Sequence, residues 1–273
     1  MSVSSMPTWE DSWSPRVPYF WGASPPSSSS SPGPSTFIDF IGKRGQSYGR
    51  DGLSCDLSKA SLPVAPTPLP APDSGLALFQ VAVGRGTQNY TCDTSNTTAV
   101  PEAIGAVASL YNVSCIAASV PSLLEKIPPI ALDLPSPSTD ISTSSTSDGN
   151  DDSNAAANAD LSGHHYFLNP STPFFNLDTS THSYGAGAFK KMDSTAAPDD
   201  APKGPKGKGD GAVAWLKLVA KDSSSNEDGG NGKVLREVYR VNTAGGNPPK
   251  SCTGMPASFE VEYSAEYWIY EKA

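Results

Sequence analysis

The stretch "SFEVEYSAEYWIY", residues 258–270, constrains the fold more than any other part of the chain. Phe259, Val261, Tyr263, Ala265, Tyr267 and Ile269 alternate with Ser258, Glu260, Glu262, Ser264, Glu266 and Trp268, a period of two held through six repeats. Successive side chains of an extended strand point to opposite faces, so the pattern predicts a half-buried β-strand near the middle of a sheet. "LALFQVAV" (76–83), "AVAWLKLVA" (212–220) and "KVLREVYRV" (233–241) also have strand character, the last two as a hairpin with a long tip. "PEAIGAVASLY" (101–111) places Ile104, Val107, Ala108 and Tyr111 at helical spacing, yet Gly105 and the following "NVSCIAA" favour extended chain. With no long amphipathic helix in view, the expected class is all-β, a β-sandwich or distorted β-barrel with long disordered loops.

Not all of the chain can be core. Of 273 residues 26 are Pro and 24 Gly, and Ser-rich tracts are long. Residues 1–50 are expected to be a disordered segment or one with a misplaced start, and 51–273 a single all-β domain. Low-complexity residues 135–160, almost without apolar side chains, interrupt that domain, as do mobile loops at 193–211 and 222–232. The first 36 residues have neither a basic segment nor an apolar run, so no signal peptide is visible. Four cysteines and sequons at Asn89, Asn96 and Asn112 nonetheless point to an extracellular, glycosylated protein, with a cytosolic one as the alternative. The net charge of −9, from 28 acidic and 19 basic residues, argues against nucleic acid as a partner, and no apolar run is long enough for a membrane span.

Several motifs invite chemistry. In "VAVGRGTQNYTCD" (81–93) a strand-like run meets Gly84-Arg85-Gly86, as in a dinucleotide fingerprint. The third glycine position holds Asn89 and the following "YTCDTSNTT" cannot sustain the required helix, so the expected reading is a turn between strands and no cofactor. "GQSYG" (45–49) has the spacing of a nucleophile elbow around Ser47 but lacks the strand and helix that would hold it. Asp148, Asn150, Asp152 and Asn154 have the spacing of a calcium loop, whose turn glycine and bidentate glutamate are replaced by Ser153 and Ala159. His164, His165 and His182, with Asp178, could serve a metal, but adjacent histidines on a strand face opposite ways and no metal is expected. Glu260, Glu262 and Glu266 share a strand face at a separation of about 7 Å for the first two, which suits an inverting glycosidase as well as a plain solvated face. Trp268 and Tyr270 continue that face as a sugar platform or an edge cover.

"GRGTQNYTC", "GHHYF" (163–167), "WLKL" (215–218), "VYRVNTAGG" (238–246) and "VEYSAEYWIY" (261–270) together resemble a family of mostly secreted fungal and bacterial proteins of unknown function. Its fungal members often carry the label malate dehydrogenase, for which these motifs supply no nucleotide-binding turn. The resemblance spans roughly residues 52–270. Cys55, Cys92, Cys115 and Cys252 allow three pairings by spacing alone. The resemblance implies Cys92 with Cys252, kept in bacterial members, and Cys55 with Cys115, a fungal addition. It also draws attention to His165. The polar residues of these motifs that a sheet does not need, Gln88, Tyr90, His165, Arg240 and Tyr267, form the candidate ligand site. The expected function is binding or surface association with an extracellular polysaccharide or small molecule; the alternative is an enzyme, a glycan-active hydrolase or, by label alone, malate dehydrogenase.

Overall fold

The computed structural model describes residues 55–96, 98–134, 161–221 and 234–273. Ser47 and the acidic 148–159 stretch lie outside them. Eight strands, β1 (Leu76–Thr91), β2 (Glu102–Asn112), β3 (Leu161–Asn169), β4 (Thr172–Asp178), β5 (Ser183–Thr195), β6 (Trp215–Ala220), β7 (Leu235–Gly245) and β8 (Ser258–Lys272), form a closed antiparallel barrel in chain order. β8 lies between β7 and β1, the position its period-two pattern predicts, and its long register with β1 closes the barrel. Closure leaves no sheet edge unpaired. Three short helices follow β2: α1 (Ser114–Ser119), α2 (Pro121–Leu124) and α3 (Ile127–Asp133). None is long and apolar enough to cross a membrane.

The barrel has two cores. Inside it, Ala82, Leu110, Phe175, Phe189, Leu218, Val238, Tyr263 and Tyr267 pack together, each at most 4% exposed. Eight strands enclose a space of about the width that side chains occupy. On the outer wall Val81, Val83, Tyr239, Trp268 and Tyr270 pack against Ile116, Leu124, Ile127 and Ala131 of the helices.

Three expectations change. Gly84 and Gly86 lie in the middle of β1, with no turn there. A Cβ on Gly84 would come within 2.4 Å of the Tyr267 ring, and one on Gly86 within 1.8 Å of the Val107 carbonyl. These glycines therefore admit the Tyr267 ring and the close approach of the neighbouring strand. Residues 114–119 are helical: the free N–H of Ser114 in the first turn donates to Asn112 Oδ1, and the Ser114 hydroxyl accepts from the Val81 N–H of β1. Finally, the polar face of β8 is not solvated along its length: Ser264, Glu266 and Trp268 are at most 1% exposed because the outer core covers them.

Two disulfides fasten these layers. Cys55–Cys115 joins the segment before β1 to α1, and Cys92–Cys252 joins the end of β1 to the loop between β7 and β8; both are the pairs the resemblance implies.

Candidate functional site

The residues singled out from the motifs come together at one end of the barrel interior. Gln88 and Tyr90 come from β1, His165 from β3, Arg240 from β7 and Tyr267 from β8. Arg240 and Tyr267 are direct partners in the β7–β8 ladder, and His165 stands opposite Phe175 in β3–β4. The His165 ring stacks on Phe175 at 4.3 Å between centroids and leans on Tyr267 at 5.8 Å. Its Nδ1 lies 3.0 Å from the Phe174 carbonyl, so the neutral ring donates there. Burial, with a smaller contribution from the nearby Arg240 charge, holds its pKa down at about 4.

Tyr263 belongs to this site although the motif reading passed over it. It shares the inward parity of Tyr267, and their hydroxyls meet at 2.8 Å. The alternation of β8 held that signal. Burial raises the pKa of both, so both phenols stay protonated. The Tyr90 hydroxyl donates to the Gly246 carbonyl at 2.7 Å, and Arg240 Nη2 to the Ala214 carbonyl at 2.9 Å. Gly246, in the left-handed region at φ 95°, lies against the interior: a Cβ there would press on Tyr263, Val213 and the Gln88 stem.

Hydrogen bonding within the cluster is incomplete. Gln88 Nε2 and Arg240 Nε are buried and meet no acceptor. Gln88 interacts with the Tyr263 hydroxyl and Arg240 with that of Tyr267, contacts that leave Gln88 Nε2 and Arg240 Nε without a full hydrogen bond. An unmet buried donor costs about 1–3 kcal/mol, so two in one place call for an acceptor from outside the chain.

The other candidate groups disperse. His164 faces away from His165, and His182 stacks on Tyr184 at 4.0 Å with Nδ1 beside Thr179 and Thr181. Asp178 accepts from the Gly185 N–H. Among the described residues no three His, Cys, Asp or Glu side chains gather as metal ligands. The glutamate row is divided among separate environments. Glu260 is exposed, Glu262 is held by Arg85 at 2.7 Å, and Glu266 is fully buried on the outer wall. Glu266 accepts from Asn242 Nδ2 at 2.7 Å and Trp268 Nε1 at 2.9 Å, and burial pushes its pKa up to about 7. Trp268 and Tyr270 are packed in the outer core, where no sugar can stack on them. Outside the barrel, a cleft of about 190 Å³ is lined by Glu125, Trp215 and Asn242, and an apolar one of about 220 Å³ by Leu62, Pro68, Trp215 and Val241.

No curated protein and no solved structure matches this chain. Residues 72–271, from the first residues before β1 almost to the end of β8 and including every member of the interior cluster, match a family described as "Protein of unknown function (DUF3455)". The chain belongs to that family.

Proposed function

We propose that the protein is an exported binding protein that takes a small polar ligand at the Gln88, Tyr90, His165, Arg240 and Tyr267 end of the barrel. The observation that carries this reading is the pair of buried donors, Gln88 Nε2 and Arg240 Nε, left without acceptors side by side in the interior. The cluster offers hydrogen-bond donors and aromatic walls, the kind of lining that orients a small polar ligand. Export is supported by the two disulfides, which persist in an oxidising compartment. Sequon residues Asn96 and Asn112 are exposed and Asn89 is half-buried on β1, so glycans are expected at the first two.

A thermal-shift screen of small polar metabolites against wild type and Gln88→Leu tests the reading. A saturable rise in Tm that Gln88→Leu weakens supports it; an equal rise in both variants places the ligand elsewhere. NADH is expected to give no saturable fluorescence enhancement, since no glycine turn precedes a helix at Gly84.

A second reading keeps the polysaccharide partner and places it on the outer wall. Trp215 lines both outer clefts, and its buried indole N–H has no acceptor, a role a sugar hydroxyl fills. Trp215→Phe, which removes that donor together with part of the buried ring, should weaken retention on wall polysaccharide while leaving small-ligand shifts unchanged.

A further inference from the structure

Three cations are buried among the described residues, and they are treated unequally. Lys217, on the outer wall, is fully buried, with Nζ 3.0 Å from Glu237, 3.2 Å from Asp73 and 2.8 Å from the Ala71 carbonyl. Arg85, also on the outer wall, is 1% exposed. It pairs with Glu262 and donates to the carbonyls of Ala131 and Leu132, fastening the end of α3 to the barrel. Arg240, inside the barrel and 9% exposed, makes one hydrogen bond to a backbone carbonyl and no ion pair among the described residues. Around it stand Tyr90, His165, Tyr263 and Tyr267, none of which carries negative charge.

A guanidinium cannot shed its proton to escape this position. Removed from water without a counter-ion it is strongly unfavourable, and the two outer cations show the usual remedy of an adjacent carboxylate. The interior cluster presents the opposite inventory: a guanidinium, an amide N–H and phenol hydroxyls, with the unmatched polar atoms of Gln88 and Arg240 both being donors. The unpaired Nε belongs to the planar fork that a carboxylate grips with two oxygens.

We infer that the interior site binds a small carboxylate, which serves as the counter-ion of Arg240 and accepts from Gln88. This rests on the small-ligand reading above and adds the charge and class of the ligand. The acid that meets Arg240 beside Tyr263, Tyr267 and Phe175 is either a free acid or the acid end of a larger molecule such as a uronic acid.

The test uses the whole chain, dialysed into a buffer without carboxylates, with Tm followed against sodium acetate, sodium glucuronate, acetamide and sodium chloride at matched ionic strength. Acetate is expected to raise Tm saturably, acetamide and chloride are not, and Arg240→Met is expected to abolish the acetate response. A response to acetate alone identifies a free acid, and one to glucuronate as well identifies an acid carried on a sugar; either supports the inference. If acetamide matches acetate, the ligand is neutral, and the inference fails while the small-ligand reading stands. If chloride matches acetate, the carboxylate assignment fails. If none of the four shifts Tm, the carboxylate inference fails, and the small-ligand reading is decided by the metabolite screen. Should Arg240→Met not fold, Gln88→Leu carries the test through an expected loss of about tenfold in acetate affinity, the cost of one hydrogen bond to a charged group. An unchanged affinity there overturns the assignment.

Discussion

The outer wall and the interior of this barrel solve the same problem in different ways. Both bury strongly polar groups, but the wall supplies each cation with its partner from within the chain. Lys217 sits between Glu237 and Asp73, and Arg85 between Glu262 and the carbonyls of α3. The interior instead leaves Arg240 and Gln88 with donors unmet. A self-sufficient charge network reads as architecture, and a deficient one as a place built for something that is not part of the chain.

The largest expected effect concerns the two disulfides, one for each region. Opening Cys92–Cys252, whose partners are 160 positions apart in sequence, by a double Ser substitution should cost about 5 kcal/mol in the chain-entropy account, and opening Cys55–Cys115, 60 positions apart, about 4 kcal/mol. Denaturant unfolding reads both losses. Only the first should also weaken the ligand response, because Cys252 anchors the loop that begins at Gly246 over the interior cluster. Equal ligand responses in the two variants would erase the distinction drawn here.

Next in size is removal of a cation from each region. Lys217→Met strands the buried Glu237 carboxylate and should lose about 3–5 kcal/mol. Arg240→Met strands no anion, so its stability in carboxylate-free buffer should change by less than about 1 kcal/mol or improve. Chemical denaturation of the two variants in parallel checks the contrast. A loss on Arg240→Met as large as that on Lys217→Met would make Arg240 a structural residue.

The pH dependence separates the regions again. His165, in the interior, has its pKa lowered from 6.5 to about 4, so the folded state binds fewer protons than the unfolded one in that window, and stability is lost as pH falls through it. Glu266, on the wall, has its pKa raised from 4.5 to about 7, so the folded state binds more protons there, and stability is lost as pH rises through it. Each shift corresponds to about 3 kcal/mol, and the opposed slopes leave the wild type nearly flat between them. His165→Phe should expose a stability that declines from pH 4.5 to 7, and Glu266→Gln one that declines from pH 6.5 to 4. Unfolding free energies across pH 4–7 measure this, and a variant as flat as wild type would rule out the assigned titration.

The smallest effect tests how full the interior is. Gly84→Ala puts a methyl group 2.4 Å from the Tyr267 ring and should cost about 1–3 kcal/mol by overpacking. Tyr267→Leu in the same chain should recover part of that cost, seen as non-additive Tm changes. Simple additivity would mean that the ring and the glycine do not meet.

Much of the fold was legible in the chain because it rests on local pattern. The alternation of residues 258–270 marked β8 and its central place, and Gly105 correctly tipped 101–111 toward β2. The helices were not legible. At six, four and seven residues they are too short to display a helical period, and Pro121 and Pro128 look like breakers although they stand in first turns, where a missing N–H is harmless. Once those helices cover the wall, Glu266 and Trp268 become core residues, which no alternation along β8 alone could reveal.

By itself the sequence determined the strand-rich class, the alternating faces of β8 and the set of polar motif residues worth watching, because period and composition act over a few neighbouring residues. Only the tertiary structure decided that those polar residues meet, that Gly84 serves a ring rather than a nucleotide, and that Arg240 lacks the carboxylate Lys217 and Arg85 possess. Partnership is a property of distance in space. Residues 88, 165, 240 and 267 become neighbours only when β8 pairs with β1 and closes the barrel.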